Sequence, residues 1–373
     1  NLTEEQKMQA LEYLMFLKEK RDGSIKGRGC ANGSKQQVSK DCKMAPTVST
    51  EALFLSCLID AMEGRDVATV DIPGAFMQAD MDETIFVKFD GTMLDALIQL
   101  NPTVYRTHVL IENNRKVLYA KLRKALYGTV RAALLFWRDL VDTLEQQDFT
   151  LNPYDSCVMN KMINGKQCTV LFHVDDLKIS HVDASVVTDV IGILKQRYDR
   201  FKKGMSITRG RTHEYLGMTL DFTAPGKIKI DMTKFVQKMI EGMPDSMVGE
   251  ATTAAASYLF TVNSKCEKLS EERSAIFHRL TAQGLFLCSR GRPDIETAIA
   301  FLTTRVKDPD EDDWGKLTRM MKYLQATKYL VRTLEADKML VIKWYIDGAH
   351  AVHHDMRGHT GAAMTLGKGA TYS

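Results

Sequence analysis

A chain of 373 residues with 45% hydrophobic and 26% charged side chains has the proportions of a protein that buries a core, and its length points to two or three domains. The net charge of only +3 excludes binding of polyanions by bulk charge, so phosphate contacts would need local Lys/Arg clusters. A bilayer-spanning helix is excluded by the lack of any apolar run of about 18 residues, and a secretory signal by the mixed acidic and basic groups of residues 1–20.

Thr3 and Gln6 form a capping-box pattern, and Met8, Leu11, Met15 and Lys18 follow at helical spacing, which predicts an N-terminal helix ended by Asp22-Gly23. Residues 26–35 (KGRGCANGSK) read as a Gly-rich basic loop with Lys26 and Arg28 among its cations. A helix is predicted over 46–64, with Ala52, Leu53, Leu55, Ser56, Ile59 and Met62 on one side and Gly64 as its stop. The strand-like run 67–70 (VATV) then delivers Asp71, before Pro73-Gly74 stop it and Ala75-Phe76 follow. Residues 84–89 and 117–122 have strand character and are bordered by the turn formers Asp90-Gly91 and Asn113-Asn114. Residues 121–128 lead into a long amphipathic helix with Leu134, Trp137, Val141 and Leu144 on one side.

Asn164-Gly165 between two β-rich runs is a hairpin signal, and it sets up residues 169–180 (TVLFHVDDLKIS), two short arms around Asp175 and Asp176. Consecutive strand side chains point to opposite faces and adjacent carboxylates repel unless a cation or proton neutralises them, so the pair belongs at a hairpin turn with something positive beside it. Residues 183–198 form a helix with Val186, Val187, Val190, Ile193 and Leu194 on its apolar face, followed by the basic segment 197–203. After His213–Met218, Pro225-Gly226 turn the chain into 227–230. From 232 the pattern is helical: Asp231 caps 232–241, Ser270 starts a second helix, and Arg292-Pro293-Asp294-Ile295 starts a third. Lys316, Arg319 and Lys322 recur every three residues opposite Leu317, Met320, Met321 and Leu324, a cationic stripe suited to a duplex backbone. Strands are predicted over 340–346, ending in Asp347, and over 361–366. The seven cysteines (Cys30, Cys42, Cys57, Cys157, Cys168, Cys266, Cys288) are odd in number without paired metal-type spacing, which implies reduced intracellular thiols and no zinc site.

A strand-terminal Asp71 in the pattern Asp-x-x-x-Ala-Phe, upstream of Val174-Asp175-Asp176 in an apolar hairpin, resembles the palm of reverse transcriptases, in particular those of copia-type retrotransposons. The resemblance runs over roughly 5–373. It implies an α+β right-hand polymerase: fingers and palm with an antiparallel sheet over 1–231, a helical thumb and connection over 232–335, and the incomplete N-terminal part of an RNase H-like α/β domain over 336–373. On that likeness Asp71, Asp175 and Asp176 are the catalytic and metal-binding residues, holding two Mg²⁺ ions with Mn²⁺ as an alternative. Lys26 and Arg28 would face the incoming triphosphate, and Phe76 would crowd the ribose 2′-position. The family's Leu-Tyr-Gly-x-x-Gln-Ala-Pro is met by Leu126, Tyr127, Gly128 and Ala132, but with Arg131 for Gln and Ala133 for Pro; Arg131 is carried as a nucleotide contact that cannot accept a hydrogen bond.

The same likeness puts His173 near the primer or template backbone, Tyr215, Leu216 and Gly217 in a primer grip, and Lys316, Arg319 and Lys322 on the duplex. Lys202 or Lys203 would protonate pyrophosphate, and Asp347 would be the first metal aspartate of the RNase H-like part, whose remaining acidic residues have no counterpart. RNA hydrolysis is not expected. The implied activity is RNA-directed DNA synthesis within a Pol polyprotein, with RNA template, DNA primer, RNA/DNA hybrid and dNTPs as ligands, other Pol or Gag segments as partners, and no membrane. The implied location is intracellular, in the cytoplasm, a virus-like particle or the nucleus. A truncated, inactive element remnant and a host-adopted nucleic-acid-binding module are the rival readings.

Overall fold

The computed structural model describes residues 2–19, 23–36, 44–201, 204–337, 341–353 and 355–373. Thr3 caps the short helix α1 (Glu4–Gln9): its hydroxyl accepts the Gln6 N–H while the Gln6 side chain accepts the Thr3 N–H. Ala10 is already extended, and the chain continues as β1 (Leu11–Glu19), which pairs antiparallel with β2 (Ile25–Ala31). The expected N-terminal helix therefore ends at Gln9, and the expected basic loop is mostly strand. Met8 is 82% exposed and Leu11 only 3%, so the residues at helical spacing share no face; Leu11 instead packs with Ala31, Ile85 and Val87. Gly29 belongs to this ladder because a Cβ there would lie 1.9 Å from the Tyr13 hydroxyl, and only a strand glycine leaves room for that ring.

Ser49 caps α2 (Thr50–Glu63), accepting the Ala52 N–H at 3.1 Å, and Gly64 at φ +65° closes it in the left-handed region. Next come β3 (Asp66–Asp71), a 3-10 turn at Ala75–Gln78, β4 (Phe86–Asp90), α3 (Gly91–Leu100), α4 (Pro102–Tyr105), β5 (Leu110–Glu112) and β6 (Arg115–Lys121). Strands β2-β1-β4-β6-β5 form the first sheet in that order.

Helix α5 (Ala132–Glu145) buries Leu134, Leu140, Val141 and Leu144. It is followed by β7 (Thr150–Leu151), β8 (Val158–Ile163), β9 (Lys166–His173), β10 (Asp176–His181), α6 (Ala184–Tyr198) and β11 (Ser206–Arg209). Asn164 and Gly165 take φ values of +52° and +73°, the sign pattern of a I′ hairpin turn. The second sheet runs β11-β3-β10-β9-β8-β7 and is antiparallel throughout.

The third sheet starts with β12 (Thr212–Tyr215), β13 (Met218–Asp221) and β14 (Lys227–Asp231). The chain then leaves it for α7 (Thr233–Glu241), α8 (Glu271–Arg290), α9 (Glu296–Arg305) and α10 (Glu311–Ala326). It returns as β15 (Arg332–Ala336), antiparallel to β14. The ribbon β16 (Lys343–Ala349) and β17 (His359–Thr365) follows, and β18 (Gly367–Lys368) completes the order β12-β13-β14-β15-β18. The region expected to be purely helical is thus an excursion between neighbouring strands, and β15 crosses the expected boundary at 335/336. One apolar cluster joins the second sheet to the helical excursion, with Phe54, Phe136, Phe172, Phe277 and Leu317 all fully buried. Burying each such side chain contributes about 1.5–3 kcal/mol. Among the described residues no helix is long and apolar enough to cross a membrane.

Candidate active site

Asp71 is the last residue of β3 and Asp176 the first of β10, and the two strands pair so that these residues lie directly opposite each other. Asp176 also faces His173 across the β9–β10 hairpin, and Asp71 faces Ser206 of β11. Directly opposed residues of antiparallel neighbours share a face, with Cβ atoms about 4.5–5.5 Å apart, so His173, Asp176, Asp71 and Ser206 form one row across the sheet. Asp175 sits in the turn at the end of that row. Its carbonyl accepts the Ile72 N–H at 3.0 Å, which ties the turn to the residue after Asp71. Val174 takes a φ of +58°, a left-handed conformation that costs a β-branched residue on the order of 1–3 kcal/mol and persists because its surroundings fix it.

All four residues from His173 to Asp176 are partly buried. Burial, then the charge of Asp71, pushes the Asp175 carboxyl above its usual range, while Arg28 and His173 oppose the rise. Burial, then the charges of Asp175 and Asp71, does the same to Asp176. Two partly buried carboxylates raised in this way beside the charge of Asp71 are hard oxygen donors short of positive charge, which fits a divalent cation. The oxygens of the three carboxylates are not all within 4.8 Å of one another. Among the described residues the trio that is so close is Asp310, Asp312 and Asp313 at the start of α10. That group is internally satisfied: Asp310 and Asp313 cap the helix and bind Arg305, and Asp312 binds Lys316.

The first sheet supplies the opposite charge. Arg28 on β2 is exposed and stands 5.2 Å over the Tyr127 ring, which in turn meets the Phe76 ring at 4.6 Å. Burial and the charge of Asp175 raise the Tyr127 phenol above its usual range. Lys26, also exposed, lies two residues earlier on β2, opposite Lys18. Phe76 is half-buried in the 3-10 turn after Asp71.

Other expected contacts are placed differently. Arg131 binds Asp82 and Glu83, each at 2.5 Å, so its charge is committed to a protein acid pair rather than open to a nucleotide. Tyr215 is 4% exposed and its hydroxyl donates to the Asp176 carbonyl at 3.0 Å; it supports β10 from inside. Leu216 and Gly217 turn that hairpin at φ +48° and +80°, with Leu216 partly buried and Gly217 exposed.

The stripe of Lys316, Arg319 and Lys322 is not an open face. Lys316 is buried over Phe301, bound to Asp312 and the Thr261 carbonyl, and Arg319 donates to Thr253; Lys322 is partly buried. The residues at helical spacing lie between packed segments, where a cation needs a partner. Asp347 is exposed on β16, opposite Gly361. Lys202, Lys203 and Cys42 lie outside the described residues.

Two groups escaped the sequence reading. Beneath the aspartate row, Lys178 of β10 and Asp60 of α2 form a fully buried ion pair, with Ser56 accepting from the ammonium at 2.9 Å and Arg65 at 3.9 Å from Asp60. The signal was present: a lysine between Leu177 and Ile179 in a strand, and Ser56 and Asp60 one helical turn apart on a helix side otherwise apolar. Beside it His213 accepts from or donates to Thr69 at 3.2 Å and meets the Gly210 carbonyl at 3.0 Å, its pKa pulled down by burial. Together with Tyr215 this bolts the β12–β13 hairpin to β3 and β10.

Residues 2–255 match the reverse transcriptase (RNA-dependent DNA polymerase) family. The putative transposon Ty5-1 protein of Saccharomyces cerevisiae is 22% identical over 310 residues, covering 81% of this chain and 90% of that protein. The retrovirus-related Pol polyprotein from transposon TNT 1-94 of Nicotiana tabacum is 21% identical over 336 residues, 85% of this chain and 23% of that one. The corresponding polyprotein from transposon RE2 of Arabidopsis thaliana is 22% identical over 313 residues, 82% and 20% respectively. The chain thus spans about a fifth to a quarter of those polyproteins. Among solved structures, the foamy viral protease-reverse transcriptase in complex with double-stranded DNA aligns with 97% of this chain and 50% of its own, at 12% identity and a TM-score of 0.48. With more than half its length matched, the chain belongs to the reverse transcriptase family, and its relatives are those of copia-type retrotransposons.

Proposed function

We propose that this chain is an RNA-directed DNA polymerase that adds deoxynucleotides to a DNA primer on an RNA template, with Asp71 and Asp175 as ligands of two Mg²⁺ ions and Asp176 in support. The observation that carries the reading is the row Asp71–Asp176 with Asp175 tied to Ile72 at its end. When bound, two such ions supply activation of the primer 3′-hydroxyl and charge neutralisation at the leaving pyrophosphate. The protein's own part is positioning. Arg28 and Lys26 face the triphosphate from β2, Phe76 excludes a ribose 2′-hydroxyl, and His173 and the Leu216-Gly217 turn lie along primer or template. Residues 1–231 act as fingers and palm, 232–335 as thumb and connection, and 336–373 as the start of an RNase H-like part, inside the cell and beside other Pol or Gag segments.

Extension of oligo(dT) on poly(rA) with and without Mg²⁺ tests this. The reading expects Mg²⁺-dependent extension that is lost in Asp175→Asn. Retention of the duplex with no extension by either protein would instead indicate a module that only binds nucleic acid.

A further inference from the structure

Strand β12 alternates exposed and buried residues, so Thr212 and Glu214 face solvent while His213 and Tyr215 point inward. The inward pair reaches past its own sheet to the second one. His213 meets the Thr69 hydroxyl of β3 at 3.2 Å, and the Tyr215 hydroxyl donates to the Asp176 carbonyl at 3.0 Å. Tyr215 is held at both ends, by the pairing of its backbone with Met218 of β13 and by its hydroxyl against β10.

The direction of a side chain is set by the two peptide planes that flank its Cα, because each plane is rigid and only φ and ψ turn between them. For Asp176 those planes carry the carbonyls of Asp175 and Asp176. The Asp175 carbonyl accepts the Ile72 N–H at 3.0 Å, and the Asp176 carbonyl accepts the Tyr215 hydroxyl. Both planes are therefore held from outside the β9–β10 hairpin, one by backbone and the other by a single side chain from a different sheet. The turn they steady contains Val174 at φ +58°, a conformation that persists only where its surroundings over-determine it.

We infer that Tyr215 is a positioning residue: its hydroxyl, acting through the Asp176 peptide, aims the Asp176 carboxylate at the cation site it shares with Asp71 and Asp175. The inference rests on the proposed metal-dependent polymerase for what that carboxylate binds. It gives the phenol expected on the primer a role inside the protein instead.

Tyr215→Phe deletes the hydroxyl and keeps the ring. Tyr198→Phe is the matched control, since Tyr198 is also fully buried and its hydroxyl donates at 2.8 Å to Asp139 of α5, outside the aspartate row. Titration of each protein with Mn²⁺ in the absence of nucleic acid, followed by the electron paramagnetic resonance of the free ion, reads cation affinity without turnover. The site of interest is the one that Asp176→Asn abolishes. Tyr215→Phe is expected to weaken Mn²⁺ there about 3- to 10-fold, the effect of one hydrogen bond. It is also expected to raise the Mg²⁺ concentration for half-maximal single-turnover dTTP incorporation by a similar factor, with template-primer affinity unchanged. Tyr198→Phe is expected to lower the melting temperature and to change neither cation readout. Wild-type Mn²⁺ affinity in Tyr215→Phe, equal weakening in Tyr198→Phe, or the lack of any Mn²⁺ site sensitive to Asp176→Asn overturns the inference. Wild-type protein that binds Mn²⁺ at that site yet extends no primer overturns the polymerase reading instead, so the two failures are separable.

Discussion

Replacing Asp60 by Ala should be among the most damaging single changes outside the aspartate row. Lys178 and Asp60 are both fully buried, and without the carboxylate the ammonium keeps only the Ser56 hydroxyl at 2.9 Å. Breaking one side of a buried pair costs about 3–5 kcal/mol, because the remaining charge is left uncompensated. Replacing both members, Asp60→Leu with Lys178→Met, removes both desolvation penalties at once and should be near neutral or stabilising. Arg65 is not orphaned by either change, since it also binds Glu63 at 2.8 Å. Urea unfolding of wild type, Asp60→Leu, Lys178→Met and the double variant closes a double-mutant cycle, with Asp60→Ala measured beside them. Asp60→Ala is expected to lose about 3–5 kcal/mol and the double variant to recover most of it. A single variant within about 1 kcal/mol of wild type would refute the reasoning, as would a double variant worse than either single one. Lys178 is two residues along β10 from Asp176, so the single variant should also extend primers more slowly.

Because the folded Asp175 and Asp176 carboxyls are raised above their usual range, their contribution to stability is intact below the ordinary carboxylate pKa and is lost as pH rises from there through the raised folded values. In EDTA, Asp175→Asn should therefore melt higher than wild type at pH 7 and no higher at pH 3. Adding Mg²⁺ should raise the wild-type melting temperature at pH 7 more than that of Asp175→Asn; equal shifts would contradict this. Lys316→Met should destabilise by about 1–3 kcal/mol with template-primer affinity unchanged, and a selective loss of nucleic-acid affinity would restore the cationic stripe. Phe76→Ala should increase UTP incorporation relative to dTTP on poly(rA), and an unchanged ratio would remove Phe76 from sugar selection.

Much of the site was legible because its signals are local. Asp71 at the end of an apolar strand, the Asn164-Gly165 turn and the Val-Asp-Asp hairpin each declare their geometry within a few residues. The N-terminal segment was misread because β1 is exposed along most of its length, so its apolar residues follow neither the helical nor the strand period and its strand state comes from pairing with β2 and β4. The return of β15 to β14 after the whole excursion through α7, α8, α9 and α10 is a long-range pairing with no local mark. Arg131 and Lys316 look like available cations in sequence because the groups that enclose them, Asp82 and Glu83 for Arg131 and the Thr261 carbonyl and Phe301 ring for Lys316, are brought up by the fold. Tyr127 was in view inside Leu126-Tyr127-Gly128, but its stacking between Arg28 and Phe76 requires two segments far from it in the chain.

The central claim is that Asp71 meets the Asp175-Asp176 hairpin to hold the cations that drive nucleotide addition. Single-turnover incorporation of one dTTP on poly(rA)/oligo(dT), measured across a Mg²⁺ titration for wild type and Asp71→Asn, tests it most directly. The account predicts Mg²⁺-dependent incorporation by wild type and a fall of about 100-fold or more in Asp71→Asn, with template-primer affinity retained. Equal incorporation by the two proteins would contradict it.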